Sequence, residues 1–134
     1  MASNLLYSNG TRDAQQTGLI TYAGSGALIK IYSGTQPANA NTAISSQTLL
    51  VGLSIAGTFG TDSNGTITIG TVTSGTAGAT GTASFFRIFK SDGTTVVMDG
   101  SVGTGSADMI LDNTSIATGQ TVTITSGTIV RANS

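Results

Sequence analysis

Residues 66–73 read TITIGTVT, with Ile67, Ile69 and, past Gly70, Val72 alternating with threonine. Period-two alternation of apolar and polar side chains is the pattern of a half-buried strand. The same reading applies to Ala27–Ser33, where Ile29 and Ile31 alternate with Leu28, Lys30 and Tyr32. Thr48–Ile55 is apolar on both faces around Gly52, which predicts a buried strand. Gly81–Lys90, Thr94–Asp99, Asp108–Leu111 and Thr121–Val130 complete the strand set. Threonine and valine suit a pleated surface and lose more side-chain freedom in a helix. Thr11–Tyr22 is the one predicted helix, with Thr11 as its cap, Asp13 near its positive end and Gly24–Gly26 as its stop.

Turns punctuate the strands. SNG at 63–65, SDGT at 91–94 and MDGS at 98–101 are hairpin-type sequences, because Gly, Asn and Asp accept positive φ. FFRIFKSDGTTVVMDG is the clearest hairpin. The expectation is an all-β chain, residues 1–134 as a single domain. It would be a β-sandwich or small β-barrel of about seven or eight antiparallel strands with one short N-terminal helix. Residues 1–10 are expected to form an N-terminal arm and 131–134 a flexible tail. The expected core is Ile29, Ile31, Leu50, Leu53, Ile67, Ile69, Phe86, Ile88, Val97, Ile110, Val122 and Ile124.

Composition narrows the chemistry. Only 8% of the residues are charged, so the surface must be built from Thr, Ser, Asn, Gln and Gly. Cysteine is absent, so redox compartment cannot be read. No basic, apolar leader opens the chain, and no run approaches the about 18 apolar residues of a membrane span. The five basic residues are scattered, whereas nucleic-acid binding needs a clustered positive field; no nucleic-acid or membrane partner is expected. Arg87 and Lys90 read as a solvated strand face and tip.

Histidine, cysteine, tryptophan and glutamate are all missing, so general acid–base catalysis lacks its usual parts. Serine and threonine without a base are weak nucleophiles. Asp92 and Asp99 sit in glycine turns, where aspartate bonds the local backbone. Asp108 and Asp112 share a strand face roughly 13 Å apart, too far to share a metal. DSNGT at 62–66 is like a calcium loop with its glycine too early and no closing glutamate. Neither a phosphate loop nor a dinucleotide fingerprint occurs. The expectation is a non-enzymatic protein with no catalytic, metal-binding or cofactor-binding residues and no cofactor.

Two longer segments, GALIKIYSGTQPANANTAISSQTLLVGLSIAG at 26–57 and ATGTASFFRIFKSDGTTVVMDGSVGTGSADMILDNTSIATGQTVTITSG at 79–127, follow the helix-like lead-in. In this order they resemble a family of small virion proteins from tailed bacteriophages, over nearly the whole chain. Some members look like head decoration, or cement, proteins. The resemblance implies a capsid decoration subunit that binds the outer lattice of the major capsid protein and stabilises the expanded shell. It implies a homo-oligomer, dimer or trimer, located on the virion and made in the bacterial host cytoplasm. A tail, neck or baseplate-associated subunit and a receptor- or glycan-binding module are the alternatives. Candidate contact residues are Gln36, Pro37, Asn39 and Asn41 on the 34–47 loop, with Tyr7, Arg12 and Arg131 on the terminal segments. Pro37 fixes its own φ and pushes Gln36 toward an extended conformation, and the turn should return Ile31 and Leu49 to one core.

Overall fold

The helix begins earlier than its sequence suggests. In the computed structural model, which describes residues 6–130, α1 spans Asn9–Ala23. Ser8, not Thr11, is the cap: its backbone is extended and its Oγ accepts the Thr11 N–H at 3.1 Å. Such a bond satisfies one of the N–H groups the first turn leaves unpaired. Gly24, at φ 74°, ends the helix and returns its N–H to Ile20 O.

Every other element is a strand. In chain order they are β1 Leu28–Ser33, β2 Thr48–Ile55, β3 Gly60–Ser63, β4 Thr66–Ile69, β5 Val72–Thr73, β6 Gly75–Thr76 and β7 Gly81–Thr82. Then follow β8 Phe85–Phe89, β9 Val96–Gly103, β10 Met109–Leu111, β11 Ser115–Ile116, β12 Thr121–Val122 and β13 Ile124–Val130. Nine of them form one curled sheet, a half-barrel, in the order β3-β4-β13-β10-β9-β8-β1-β2-β5. Two short ladders, β11 with β7 and β12 with β6, lie outside it. The all-β expectation holds, but one pairing departs from it: β10 runs parallel to β9. The predicted strand 66–73 is broken at Gly70–Thr71 and serves opposite ends of the sheet, β4 just inside the β3 edge and β5 as the other edge. Its first half pairs with β3 and β13, and its second half with β2.

Turn 63–65 is a hairpin as expected, with Asn64 at φ 51° and Gly65 at φ 80°. Turn 91–94 joins β8 to β9. The expected turn at 98–101 is instead the middle of β9, an unbroken strand paired with β8. Its glycine is there for a different reason. A Cβ on Gly100 would lie 2.4 Å from Phe86 Cζ, so the ring occupies the space a side chain would take.

The core gathers Ile29, Ile31, Leu50, Leu53, Ile67, Phe86, Ile88 and Val122 as expected. Ile69, Val97, Ile110 and Ile124 are only half-buried. Phe59, Phe85, Met109, Leu111 and Ile116 are at most 2% exposed, and the alternation did not single them out. Leu49 corrects the reading of the loop. A bulge between Ile31 and Tyr32 sets Val51 opposite Ile31 and Leu49 opposite Tyr32, so Leu50 turns inward and Leu49 stays 44% exposed.

Arg87 is the larger correction. All five residues of β8 are buried. Phe86 and Ile88 face the core, and Phe85, Arg87 and Phe89 share the other face. Arg87 is 2% exposed and forms a bidentate pair with Asp99, directly opposite on β9: Nε to Oδ1 at 2.6 Å and Nη2 to Oδ2 at 2.9 Å. That hydrogen bond holds the guanidinium pKa above its ordinary value. Asp99 is therefore not a turn residue. Lys30 lies opposite Arg87 on the other side, an arrangement that repels unless both charges are placed. Lys30 sits over the Phe89 ring at 4.6 Å and reaches Gly93 O at 3.5 Å. Tyr32 stacks on Phe85 at 5.2 Å, and burial raises its hydroxyl pKa, against a lowering by Arg87.

Asp99→Asn strands a buried guanidinium and should cost about 3–5 kcal/mol of unfolding free energy in a urea titration, whereas the apolar double variant Arg87→Met/Asp99→Leu should lose far less. The 91–94 turn makes a second prediction. Asp92 accepts the Thr95 hydroxyl and the Thr95 and Thr94 amides, which lower its carboxyl from 3.8 to about 2. The turn's contribution is thus complete above the usual value and lost as pH falls through about 2. Carbon-detected NMR should place the Asp92 midpoint there, and Thr95→Val should move it upward.

Candidate functional site

The 34–47 loop leaves β1 and returns to β2. It is ordered by its own side chains. Ser84 Oγ donates to Gly34 O at 2.6 Å, and Gly34 turns at φ 93°. Gln47 ties the two stems: its Nε2 donates to Thr35 O at 2.6 Å and its Oε1 accepts the Ser45 N–H at 3.0 Å. At the tip Asn39 Oδ1 accepts the Asn41 N–H at 2.9 Å and the Thr42 hydroxyl at 3.2 Å, while Asn39 O accepts the Thr42 N–H. This is an Asx turn, in which a side chain stands in for a backbone turn. Gln36, Asn39 and Asn41 are exposed and Pro37 is half-buried. With Leu49 at the foot of the loop, the surface offers neutral amides beside one aliphatic side chain.

The other predicted contact residues lie elsewhere. Gln16 is buried at 3% exposure on the inner side of α1 and donates both amide hydrogens, to Gly65 O at 2.7 Å and Ile129 O at 2.9 Å. Asp13 Oδ1 accepts the Gly65 N–H at 2.7 Å. The first half of the helix is thus pinned to the β3–β4 turn and to β13. Its last turn brings Tyr22 under Lys90, with Nζ 4.2 Å from the ring centre, and Gly26 N–H bonds Gly57 O. Arg12 is half-buried and its Nη2 donates to Asn9 Oδ1; Tyr7 is half-buried just before the cap. Arg131 lies outside the described residues.

Strand directions separate the two groups. β1 runs toward the 34–47 loop, and its antiparallel partners set Leu49 and Phe85 at that end. Following the register across β9 and β10, Ile124 also lies there, while Val130 and Thr66 lie at the opposite end with the helix. The loop residues and the helix residues therefore occupy opposite ends of the half-barrel.

Five of the six carboxylates, Asp13, Asp62, Asp92, Asp99 and Asp108, are committed to structure. Thr17 donates its hydroxyl to Asp62, so the DSNGT segment is a hairpin tied to the helix. Asp108 Oδ2 accepts the Ser101 N–H and hydroxyl, both at 3.0 Å. Among the described residues no three His, Cys, Asp or Glu side chains come together as a metal site, and no helix is long and apolar enough to cross a membrane.

Sequence reasoning missed Leu49 because a bulge, invisible in the alternation, turns it outward. It missed Gln16 because nothing in a polar helix marks which glutamine will meet two carbonyls. The loop's order makes a prediction. Gln47→Ala removes the tie between the stems and should cost about 1 kcal/mol locally, roughly a fivefold rise in amide exchange over residues 35–46 with the strand amides unchanged. No protein-family model, no curated protein and no solved structure matches this chain, so the resemblance to phage virion proteins rests on the segments quoted above.

Proposed function

We propose that this chain is a non-enzymatic structural subunit of a tailed-bacteriophage virion, a decoration protein that docks its 34–47 loop on the major capsid protein lattice. One observation carries the reading: the loop is already fixed by Asn39 and Gln47, while Gln36, Asn41 and Leu49 remain exposed. A preformed loop loses little entropy on docking, so more of its contact energy appears as affinity. Neutral amides also suit an interface, because they can be buried by pairing without the desolvation cost of charge.

The mechanism is additive. Small symmetric oligomers, dimers or trimers, each bridge neighbouring capsid subunits, and modest single contacts combine through multivalency. The binding free energy is gained only on the lattice the loop recognises, so it favours the expanded shell over the compact one. The protein is then made in the host cytoplasm and ends on the outer surface of the head.

The test is co-sedimentation with shells of the major capsid protein, compact and expanded. Saturable binding to expanded shells at a fixed ratio per capsid subunit is expected. The double variant Gln36→Ala/Asn41→Ala, with an unchanged melting temperature, should weaken it by roughly 5–30-fold. Absence of binding to either shell overturns decoration and turns the question to a tail or neck position, read from copy number in the particle.

A further inference from the structure

The tetrapeptide Ser-Asn-Gly-Thr occurs twice, at 8–11 and at 63–66, and nowhere else in the chain does asparagine precede glycine. That dipeptide is chemically labile, because glycine has no Cβ to shield its nitrogen from the preceding carboxamide. The glycine N–H gives its proton to hydroxide, and the nitrogen bonds to the asparagine Cγ. The Cγ–Nδ2 bond breaks, and ammonia leaves with a proton from water. Water then opens the five-membered imide at either carbonyl, giving aspartate or isoaspartate, in which the chain runs through Cγ; nothing is oxidised or reduced. The two copies share one local sequence, so their structural settings decide which of them reacts.

Both asparagines are exposed, but their glycines differ. The second copy is the β3–β4 turn, with Ser63 paired to Thr66. Gly65 is buried there. Its N–H donates to Asp13 Oδ1 at 2.7 Å, and its carbonyl accepts from Gln16 Nε2 at 2.7 Å. Removing that amide proton would set a nitrogen anion against a carboxylate, and like charges at hydrogen-bond distance oppose ionisation. Turning Asn64 for the attack would also break the bonds that hold Gly65. The first copy opens α1. Gly10 is exposed in the first turn, whose N–H groups lack intrahelical acceptors, and its N–H meets no acceptor among the described residues. Arg12 Nη2 donates to Asn9 Oδ1, so a cation draws electrons from the carbon under attack and offsets the charge that gathers on that oxygen. Turning Asn9 costs only the cap bonds of Ser8, to the N–H groups of Thr11 and Arg12, at an exposed helix end.

We propose that Asn9 is a self-modification site, converting to aspartate and isoaspartate in the folded protein, and that the Asp13 carboxylate protects Asn64 from the same reaction. The products differ in their effect as well. A carboxylate at position 9 gains the Arg12 guanidinium and the positive end of the helix. At position 64 the extra backbone methylene of isoaspartate would enter the turn that Asp13 and Gln16 fasten to α1, and a new carboxylate would stand next to the amide that Asp13 holds. The reactive copy is therefore the one whose product the fold accommodates.

The experiment incubates the full chain at mildly alkaline pH and body temperature, digests it with trypsin and follows the conversion by mass spectrometry with fragment sequencing. Asn9 and Asn64 fall in different peptides, 1–12 and 31–87. A rise of one unit in an amide's pKa lowers its anion about tenfold, so in the folded protein Asn64 should convert at least about tenfold more slowly than Asn9. In guanidinium chloride the two rates should become equal. Asp13→Asn keeps an acceptor oxygen and removes the charge; it should speed Asn64 by about tenfold while the amide exchange of β8 stays unchanged. If Asp13→Asn does not fold, Arg12→Gln replaces it and should slow Asn9 several-fold without moving Asn64. Four outcomes overturn the proposal: Asn64 converting as fast as Asn9 in the folded protein, no conversion of Asn9 while the unfolded chain converts, no change at Asn64 in folded Asp13→Asn, or no slowing of Asn9 in Arg12→Gln.

Discussion

Strand β8 is buried on both faces, and one of its five side chains carries a full charge. A lone buried guanidinium would oppose folding by several kcal/mol, so the half-barrel is compatible with this sequence only where Asp99 stands opposite Arg87. That requirement fixes the register of β8 against β9. A slip by one residue would present Gly100 or Met98 to the arginine, and would move Phe86 off the glycine that makes room for its ring. β1 then inherits its position from β8, with Lys30 led away from Arg87 by the Phe89 ring. The geometry that presents the 34–47 loop descends from this single pair.

Rigidity and function meet in how the two ends are built. At one end a helix lies over the barrel mouth, fastened by Gln16 and Asp13 to the turn at Gly65. At the other a loop holds itself in shape through Asn39 and Gln47 and leaves its remaining amides outward. Gln16 and Asp13 spend their polar atoms on the barrel, whereas the Gln36 and Asn41 side chains at the loop end are exposed.

Much of the fold was legible because alternation and turn chemistry report local geometry. Ile29, Ile31, Ile67, Phe86 and Ile88 followed from period two, and the turn at 63–65 from Asn-Gly. What escaped depends on partners distant in sequence. Asp-Gly at 99–100 is turn chemistry, yet Asp99 is held in a strand by an arginine and Gly100 by a phenylalanine ring, and neither is visible in the dipeptide. The break at Gly70–Thr71 was hidden too, because TITIGTVT alternates cleanly even where its two halves pair with different strands. In the candidate site, Asn39 and Pro37 were readable as turn residues, but the outward placement of Leu49 required the bulge in the β1–β2 ladder.

The sheet's two edges have a further consequence. β5 is two residues long and β3 four. Asp62 on β3 lies on the same face as buried Ile67 and is held there by Thr17. Short edges and an inward-pointing carboxylate discourage strand-to-strand joining between molecules. A chain with little net charge has weak mutual repulsion to keep copies apart, so blunted edges matter more to it than to a highly charged one. Many copies can then be concentrated side by side without the sheets fusing into a fibre.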